Sequence, residues 1–306
     1  MRKLNIPSTL AAGLFLLAVA GAFYACRPDV VGGGLGARAK ADFTIVPGAN
    51  ANTVILVNKS STASIPYWKV VSTGQKLTGD SAKVNFVFAG TYNVMLLVAS
   101  AGGLDSVVKP VTISQNDPNA CNGTAIGFLT GCGTKTWKLN PAAAAYQVGP
   151  SGPSDGSWWS NGTGDVPARS CEFNDTYTFT FNAAGTFVYD NKGDFYADGY
   201  MGTNGNDCES NTAFTTVQKP WGSGNFNYTM TEKTGSKGLG QLTVSGLGAH
   251  IGLQKVTNGG ENTSGPVSSI TYDVVSMTHD PGGFDLLTLA IYMPSNYWWT
   301  FTLRSY

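Results

Sequence analysis

Charge is what this chain has least of. Lys, Arg, Asp and Glu make up 12% of its 306 residues, about half the usual share, and histidine occurs only as His250 and His279. No Lys/Arg cluster is present, which excludes nucleic acid as a partner, because phosphate neutralisation needs such a patch. HExxH and Walker-type strings are missing too, so the common zinc-hydrolase and nucleotide-binding signatures are excluded.

What is plentiful is small and polar. Glycine alone contributes 39 residues, and a surface made hydrophilic by hydroxyls and amides suits an exported, all-β protein. The N-terminus points the same way: Arg2 and Lys3 precede an apolar stretch over residues 10–22, closed by Phe23-Tyr24-Ala25-Cys26. This resembles a bacterial lipoprotein signal, in which the cysteine after a small residue is lipidated and becomes N-terminal on cleavage. Phe23 and Tyr24 depart from the usual Leu and small residue. The resemblance implies that residues 1–26 are the signal and its lipidation cysteine, Cys26, the alternatives being an ordinary secretory signal or an uncleaved anchor, and the Gly-rich residues 27–40 read as a flexible tether. Cleavage removes Arg2 and Lys3 and leaves 17 basic against 19 acidic residues, a net charge of −2.

Four cysteines remain, Cys121, Cys132, Cys171 and Cys208. An even number in an exported chain reads as disulfides, with three connectivities open. Local closure favours Cys121 with Cys132 and Cys171 with Cys208. No CxxC occurs and both histidines lie apart from these cysteines, so no zinc site is expected.

Residues 41–114 carry short β runs, DFTIV, TVILVNKS, PYWKVV, KVNFVFAGTYNVMLLVAS and SVVKPVTIS, broken by glycine at the turns. That density of strands predicts a small β-sandwich. AGTYNVMLLVASAGGLDSVVKPVTIS resembles the second half of a PKD domain, an immunoglobulin-like module of bacterial surface proteins. Trp68 falls where that family buries a tryptophan, although the usual WxFGDG reads WKVVSTG here. The resemblance implies a spacer.

Residues 115–120 form a linker, and residues 121–306 a second unit. Its strands show period-two alternation: in DTYTFTFN, Tyr177, Phe179 and Phe181 share one face and Thr176, Thr178 and Thr180 the other. GTFVYDN, NFNYTMT, GQLTVSG, AHIGLQK, SITYDVVSMT, FDLLTLAIYM and YWWTFTLRS follow. The fold class is all-β, a small Ig-like (PKD) sandwich followed by a larger, jelly-roll-like β-sandwich. Pro141 suits the start of a helical turn over residues 142–146.

The landmarks TKTWKLNP, VGP, WW, CEFNDTYTFTFNAAGTFVYDNKGD and YWWTFTLRSY resemble, in that order, the C-terminal domains of Bacteroidota surface lipoproteins of starch-utilization-system-like polysaccharide-utilization loci. The resemblance implies an outer-membrane, lipid-anchored protein facing the cell exterior. It also implies capture of polysaccharide or oligosaccharide, a β-glucan such as laminarin by analogy, alongside a glycan importer and companion binding lipoproteins.

Six of the seven tryptophans lie in this unit. Sugar rings present flat C–H faces on which exposed aromatics stack while amides and carboxylates take the hydroxyls. Trp158 and Trp159, in SDGSWWSNGTGD, are the leading candidates, with Asp155, Asn161 and Asp165 as polar partners. Adjacent rings in an extended segment point apart, so one is expected to anchor the loop and the other to meet sugar. On YWWTFTLRS, Trp299 belongs to the apolar face and Trp298 to the other, making Trp298 a candidate. Trp221, Tyr196 and Tyr200 lie in turn-rich loops and complete the set, and Trp137 leans toward the core. No cofactor is expected; Asp165, Asp175 or Asp194 with backbone carbonyls would suit a structural calcium ion.

Catalysis is not expected. The ExDxE and ExDxxE strings of glucanases on β-sandwich scaffolds are missing, and Glu172 with Asp175, or Asp190 with Asp194, would pair only through loop geometry. The alternatives are a glycoside hydrolase or lyase, and a structural or adhesive protein with buried aromatics.

Overall fold

In a computed structural model of the protein, residues 36–198, 206–262 and 265–306 are described; Cys26 and Tyr200 lie outside them. The chain divides into two units, the described residues up to Asn85 with Thr91–Thr112, and Phe86–Gly90 with Ile113–Tyr306.

The smaller unit has seven strands, β1 (Phe43–Pro47), β2 (Thr53–Asn58), β3 (Ile65–Val70), β4 (Lys76–Thr78), β5 (Ser81–Asn85), β6 (Gly90–Ser100) and β7 (Gly103–Ile113). They form two sheets, β1-β2-β5 and β4-β3-β6-β7. Alternation sets the inner faces: Trp68 and Val70 of β3, and Val94, Leu96 and Val98 of β6, are buried while their neighbours are less so. Trp68 meets the ring of Phe43 edge-on at 5.2 Å, and its indole Nε1 donates to the Gly79 carbonyl at 2.9 Å. The result is the expected β-sandwich with its buried tryptophan.

The larger unit begins with a short helix, α1 (Ala125–Thr130). Thr124 caps it by accepting from Gly127 N, and the Glu232 carboxylate accepts from Ala125 N and Ile126 N, satisfying donors that a helix start leaves open. Strands β8 (Thr134–Leu139), β9 (Tyr146–Gly149) and β10 (Trp159–Ser160) follow, then α2 (Asp165–Ala168) and α3 (Ser170–Phe173). The remaining strands are β11 (Thr176–Thr180), β12 (Thr186–Asp190), β13 (Asp194–Ala197), β14 (Asp207–Ser210), β15 (Gly224–Glu232), β16 (Gly240–Ser245), β17 (Val256–Thr257), β18 (Gly260–Glu261), β19 (Ser269–Asp280), β20 (Phe284–Met293) and β21 (Tyr297–Ser305).

The all-β class holds, but the jelly-roll connectivity expected of this unit does not. Strands β8, β11, β12, β15, β16, β19, β20 and β21 are hydrogen-bonded in that order, all antiparallel, and β21 returns to β8 through Leu303 opposite Leu139. This is a closed meander, whereas a jelly roll sets non-consecutive strands side by side through Greek keys. Short connections account for part of it: residues 181–185, 281–283 and 294–296 each join two ring strands, leaving too little chain for a crossing there. The helical turn expected over residues 142–146 is instead a bend, with Ala144 at φ 61°, that feeds β9.

Ring closure puts one face of every strand inside. Across the β11–β12 pair, Tyr177 stacks on Tyr189 and Phe179 on Phe187, with centroids 5.4 and 4.6 Å apart. The outer face carries threonine pairs, Thr136 with Thr178 at 2.9 Å and Thr243 with Thr271 at 2.8 Å. Such cross-strand hydroxyl pairs stabilise the sheet and keep it wettable without charge, which explains the scarcity of ions in the sequence.

The β16–β19 connection fills part of the interior. Residues 248–254 are buried; Tyr272 OH both accepts from Ile251 N and donates to Ile251 O, and Tyr177 OH accepts from Gly252 N. Gly252 has φ 77°, and a Cβ there would fall 2.3 Å from the Phe301 ring, so no other residue fits.

His250 sits in this segment against Tyr189, its Nδ1 at 2.8 Å from Gly248 O and its Nε2 without a hydrogen-bond partner among the described residues. Burial lowers its pKa from 6.5 to about 4. The unfolded chain takes up this proton below pH 6.5 and the folded one does not until about pH 4, so the stability is present at neutral pH and lost as pH falls through that window. The loss amounts to about 3 kcal/mol. Buried Asp175 works in the opposite sense, since burial holds its carboxyl well above the usual range. Urea denaturation at pH 7 and pH 4 is therefore expected to show a smaller acid-induced loss for His250→Phe than for the wild type, by about 3 kcal/mol. Equal losses would show that His250 is protonated in the fold.

Both disulfides form as expected, Cys121–Cys132 around α1 and Cys171–Cys208 from α3 to β14.

Candidate functional site

β9 and β10 extend the ring along the half of β21 that β8 leaves free, with Trp298–Phe301 on β9 and Leu303–Ser305 on β8. Trp159 is therefore carried beside Val148 and Trp299. A cleft of about 410 Å³ opens there. Trp159, Val148 and Trp299 form its apolar side, Asp165 and Arg169 come from α2 and its C-terminal end, and Leu253 and Lys255 from the interior connection. The β13–β14 hairpin and the residues flanking it supply Tyr196, Asp198 and Asn206.

Trp159 is 37% exposed, with the rings of Trp299 and Tyr146 both 6.4 Å away. Trp158 is 58% exposed and lies 5.2 Å from Tyr297. Tyr297 and Trp299 share a face of β21, so both rings lie along one side of that strand. Neither ring is fully buried; Trp159, on β10, packs on two rings, whereas Trp158 precedes β10 and escapes strand alternation. Tyr297 OH and Trp299 Nε1 both donate to Glu261, at 3.5 and 3.0 Å, and Glu261 pairs with Lys255 at 3.1 Å. The rim aromatics are thus linked to the polar side of the cleft.

Polar groups in the cleft are held by one another. Arg169 Nε donates to Glu172 at 2.7 Å, and its guanidinium lies 3.8 Å from the centre of the Tyr196 ring. Glu172 is buried; burial pushes its carboxyl up, and Arg169 offsets this in part. Lys255 also meets Asp198 at 3.3 Å, Tyr196 OH donates to Asn206 O at 2.9 Å, and Asp165 accepts from Gly162 N at 2.6 Å.

Of the candidate binding residues, Trp159, Tyr196 and Asp165 therefore come together in the cleft, while Trp158 is not among its lining residues and lies against Tyr297. Trp298 lies on the opposite face of β21, paired with the half-exposed Tyr292 at 5.0 Å. Two expectations are corrected. Trp221 is not an exposed loop residue: it is 2% exposed, packed in a small core with Phe195 and Phe214. Asn161 does not face ligand either. Its side chain is buried, accepting from Tyr146 N and donating to Ala142 O and Gly162 O. Asp155 stays near the surface but braces its own loop, and hydrogen bonds from Ser151 N and Ser157 N hold its carboxyl below the usual range.

Glu172 and Asp175 are both buried; Tyr189 OH donates to Oδ2 of Asp175 at 2.8 Å, and its Oδ1 has no hydrogen-bond partner among the described residues. Residues 152–156, Gly-Pro-Ser-Asp-Gly, have the spacing of a nucleophile elbow. They lie in the β9–β10 loop rather than a strand-to-helix turn. His250 is buried in the interior, and His279 is held by Asp285. Among the described residues no group of three or more His, Cys, Asp or Glu side chains is placed to hold a metal ion. Arg169, Asp198, Asn206 and Lys255 are the polar cleft residues that sequence reasoning missed, with Val148 and Leu253 on the apolar side, since nothing local marks them.

No family model matches the chain, and no curated protein matches it. Among solved structures it is similar to the PKD1 domain of Vibrio anguillarum Epp, with 18% identity over 26% of this chain and 96% of that one and a TM-score of 0.23. It is also similar to the PKD1 domain of the Vibrio cholerae metalloprotease PrtV, with 20% identity over 26% of this chain and all of that one and a TM-score of 0.23. Both neighbours are PKD domains, but at that TM-score nothing about function rests on the likeness.

Proposed function

We propose that this protein captures polysaccharide without cleaving it, held at the outer membrane by lipid on Cys26 and supplying glycan to an importer. The observation that carries the reading is the cleft, where Trp159 and Tyr196 stand beside Asp165, Asp198 and Asn206, with Trp158 exposed next to it in the chain and against Tyr297. Aromatic faces with a few convergent polar groups are what a pyranose chain needs, stacking through C–H faces and hydrogen bonding through hydroxyls. The small sandwich and the Gly-rich tether serve as spacers that hold the cleft away from the lipid surface.

The test is electrophoresis of the protein in native gels containing single polysaccharides, with reducing-end release assayed on the same panel. Retardation by at least one glycan without release is expected. Release of reducing ends would replace this reading with that of a hydrolase, and mobility unchanged by every glycan would reject it.

A further inference from the structure

The cleft is unusual in how its charges are spent. Arg169 and Lys255 are the cations on its wall, and both are engaged by carboxylates: Arg169 by Glu172, Lys255 by Asp198 and Glu261. Asp165 adds a further carboxylate. Two cations thus face four carboxylates, so an acidic sugar would enter a site of its own sign. A uronate or sulfate meeting either cation would share it with a carboxylate of the protein and lie among charges of its own sign, which removes much of the attraction that an unpaired cation would offer.

Arg169 is nonetheless well placed to meet a ligand. Its side chain is 12% exposed, its Nε is held by Glu172, and its flat guanidinium lies over Tyr196 with the ring of Trp159 5.8 Å away. Its terminal amino groups make no hydrogen bond among the described residues. A guanidinium fixed at Nε and on one face presents these as a rigid two-donor fork. Such a fork usually takes a carboxylate or phosphate. Here the surrounding carboxylates disfavour that, and two adjacent hydroxyl oxygens of an uncharged ring have the matching spacing.

Building on the polysaccharide-capture reading, we infer that the cleft selects a neutral sugar, and that Arg169 is its specificity-determining residue, donating its fork to neighbouring hydroxyls of a ring stacked on Trp159. Glu172, beneath the surface, is the positioning residue that aims the fork.

The experiment compares neutral laminarin and galactomannan with the uronates alginate and polygalacturonate on the wild-type protein at low and high salt. It then repeats the neutral glycans on Arg169→Lys and on Arg169→Gln combined with Glu172→Gln, with thermal unfolding as a check on folding. At least one neutral glycan is expected to be retained and the uronates at least tenfold less, with salt changing neutral binding less than about twofold. Arg169→Lys keeps the charge and loses the fork, so about tenfold weaker neutral binding is expected. Uronates held as tightly as neutral chains would overturn the inference and leave glycan capture standing. So would undiminished binding by a folded Arg169→Lys, which would show that Arg169 acts only as a counterion for Glu172. Failure of the wild type to retain any glycan would reject both. If neither variant folds, the wild-type comparison of neutral and acidic chains still decides the charge selection.

Discussion

Trp158→Ala combined with Trp159→Ala is expected to abolish glycan retention while leaving the protein folded. Tryptophan anchors in binding sites contribute about 2 kcal/mol or more each, so losing both weakens binding by about 4 kcal/mol, roughly a thousandfold. The fold has less at stake. Trp158 is 58% exposed and Trp159 37%, and neither belongs to the interior cluster of the ring. Urea denaturation should therefore move by about 1–2 kcal/mol while native gels with glycan show free mobility. Trp298→Ala, on the far side of β21, should leave retention as in the wild type. The reverse pattern would place the site on the outer pair, Trp298 with Tyr292.

Removing the Cys171–Cys208 bond should cost both stability and binding. It closes a loop with a sequence separation of 37, for which the chain-entropy argument gives about 4 kcal/mol. That loop contains β13 and runs into β14, and Tyr196 of β13 with the flanking Asp198 and Asn206 line the cleft. Cys171→Ala with Cys208→Ala should lower the urea midpoint accordingly and weaken glycan retention even where the protein stays folded. A variant of lowered stability that binds glycan as the wild type does would show that the hairpin is not part of the site.

Local pattern and tertiary pairing were not equally legible in the sequence. DTYTFTFN told its inner face from its outer one because strand alternation is local, and the cysteines paired as expected because short loops close first. Ring closure was invisible: β8 meets β21 through Leu139 and Leu303, and period-two patterns do not name a strand's neighbour. Trp221 misled because Lys-Pro-Trp-Gly reads as a turn, and its cover, Phe195 and Phe214, comes from elsewhere in the chain. Asn161 misled for another reason. The amide that suits a sugar hydroxyl equally suits backbone groups, and here it holds Tyr146 and Ala142 instead. The cleft's charged side was beyond reach, since Arg169, Asp198 and Lys255 lie on separate segments joined only by the fold.

The last strand, β21, bonds to β20 along one edge and to β9 and β8 along the other. It also supplies Tyr297 beneath Trp158 and Trp299 beneath Trp159. During synthesis the hairpins of the meander pair as they emerge, yet the ring has two open edges until residues 297–305 arrive. Up to that moment the chain exposes the unpaired backbone on which strands of other molecules add. Completion of the cleft and protection against aggregation thus fall to one event, the docking of a nine-residue strand.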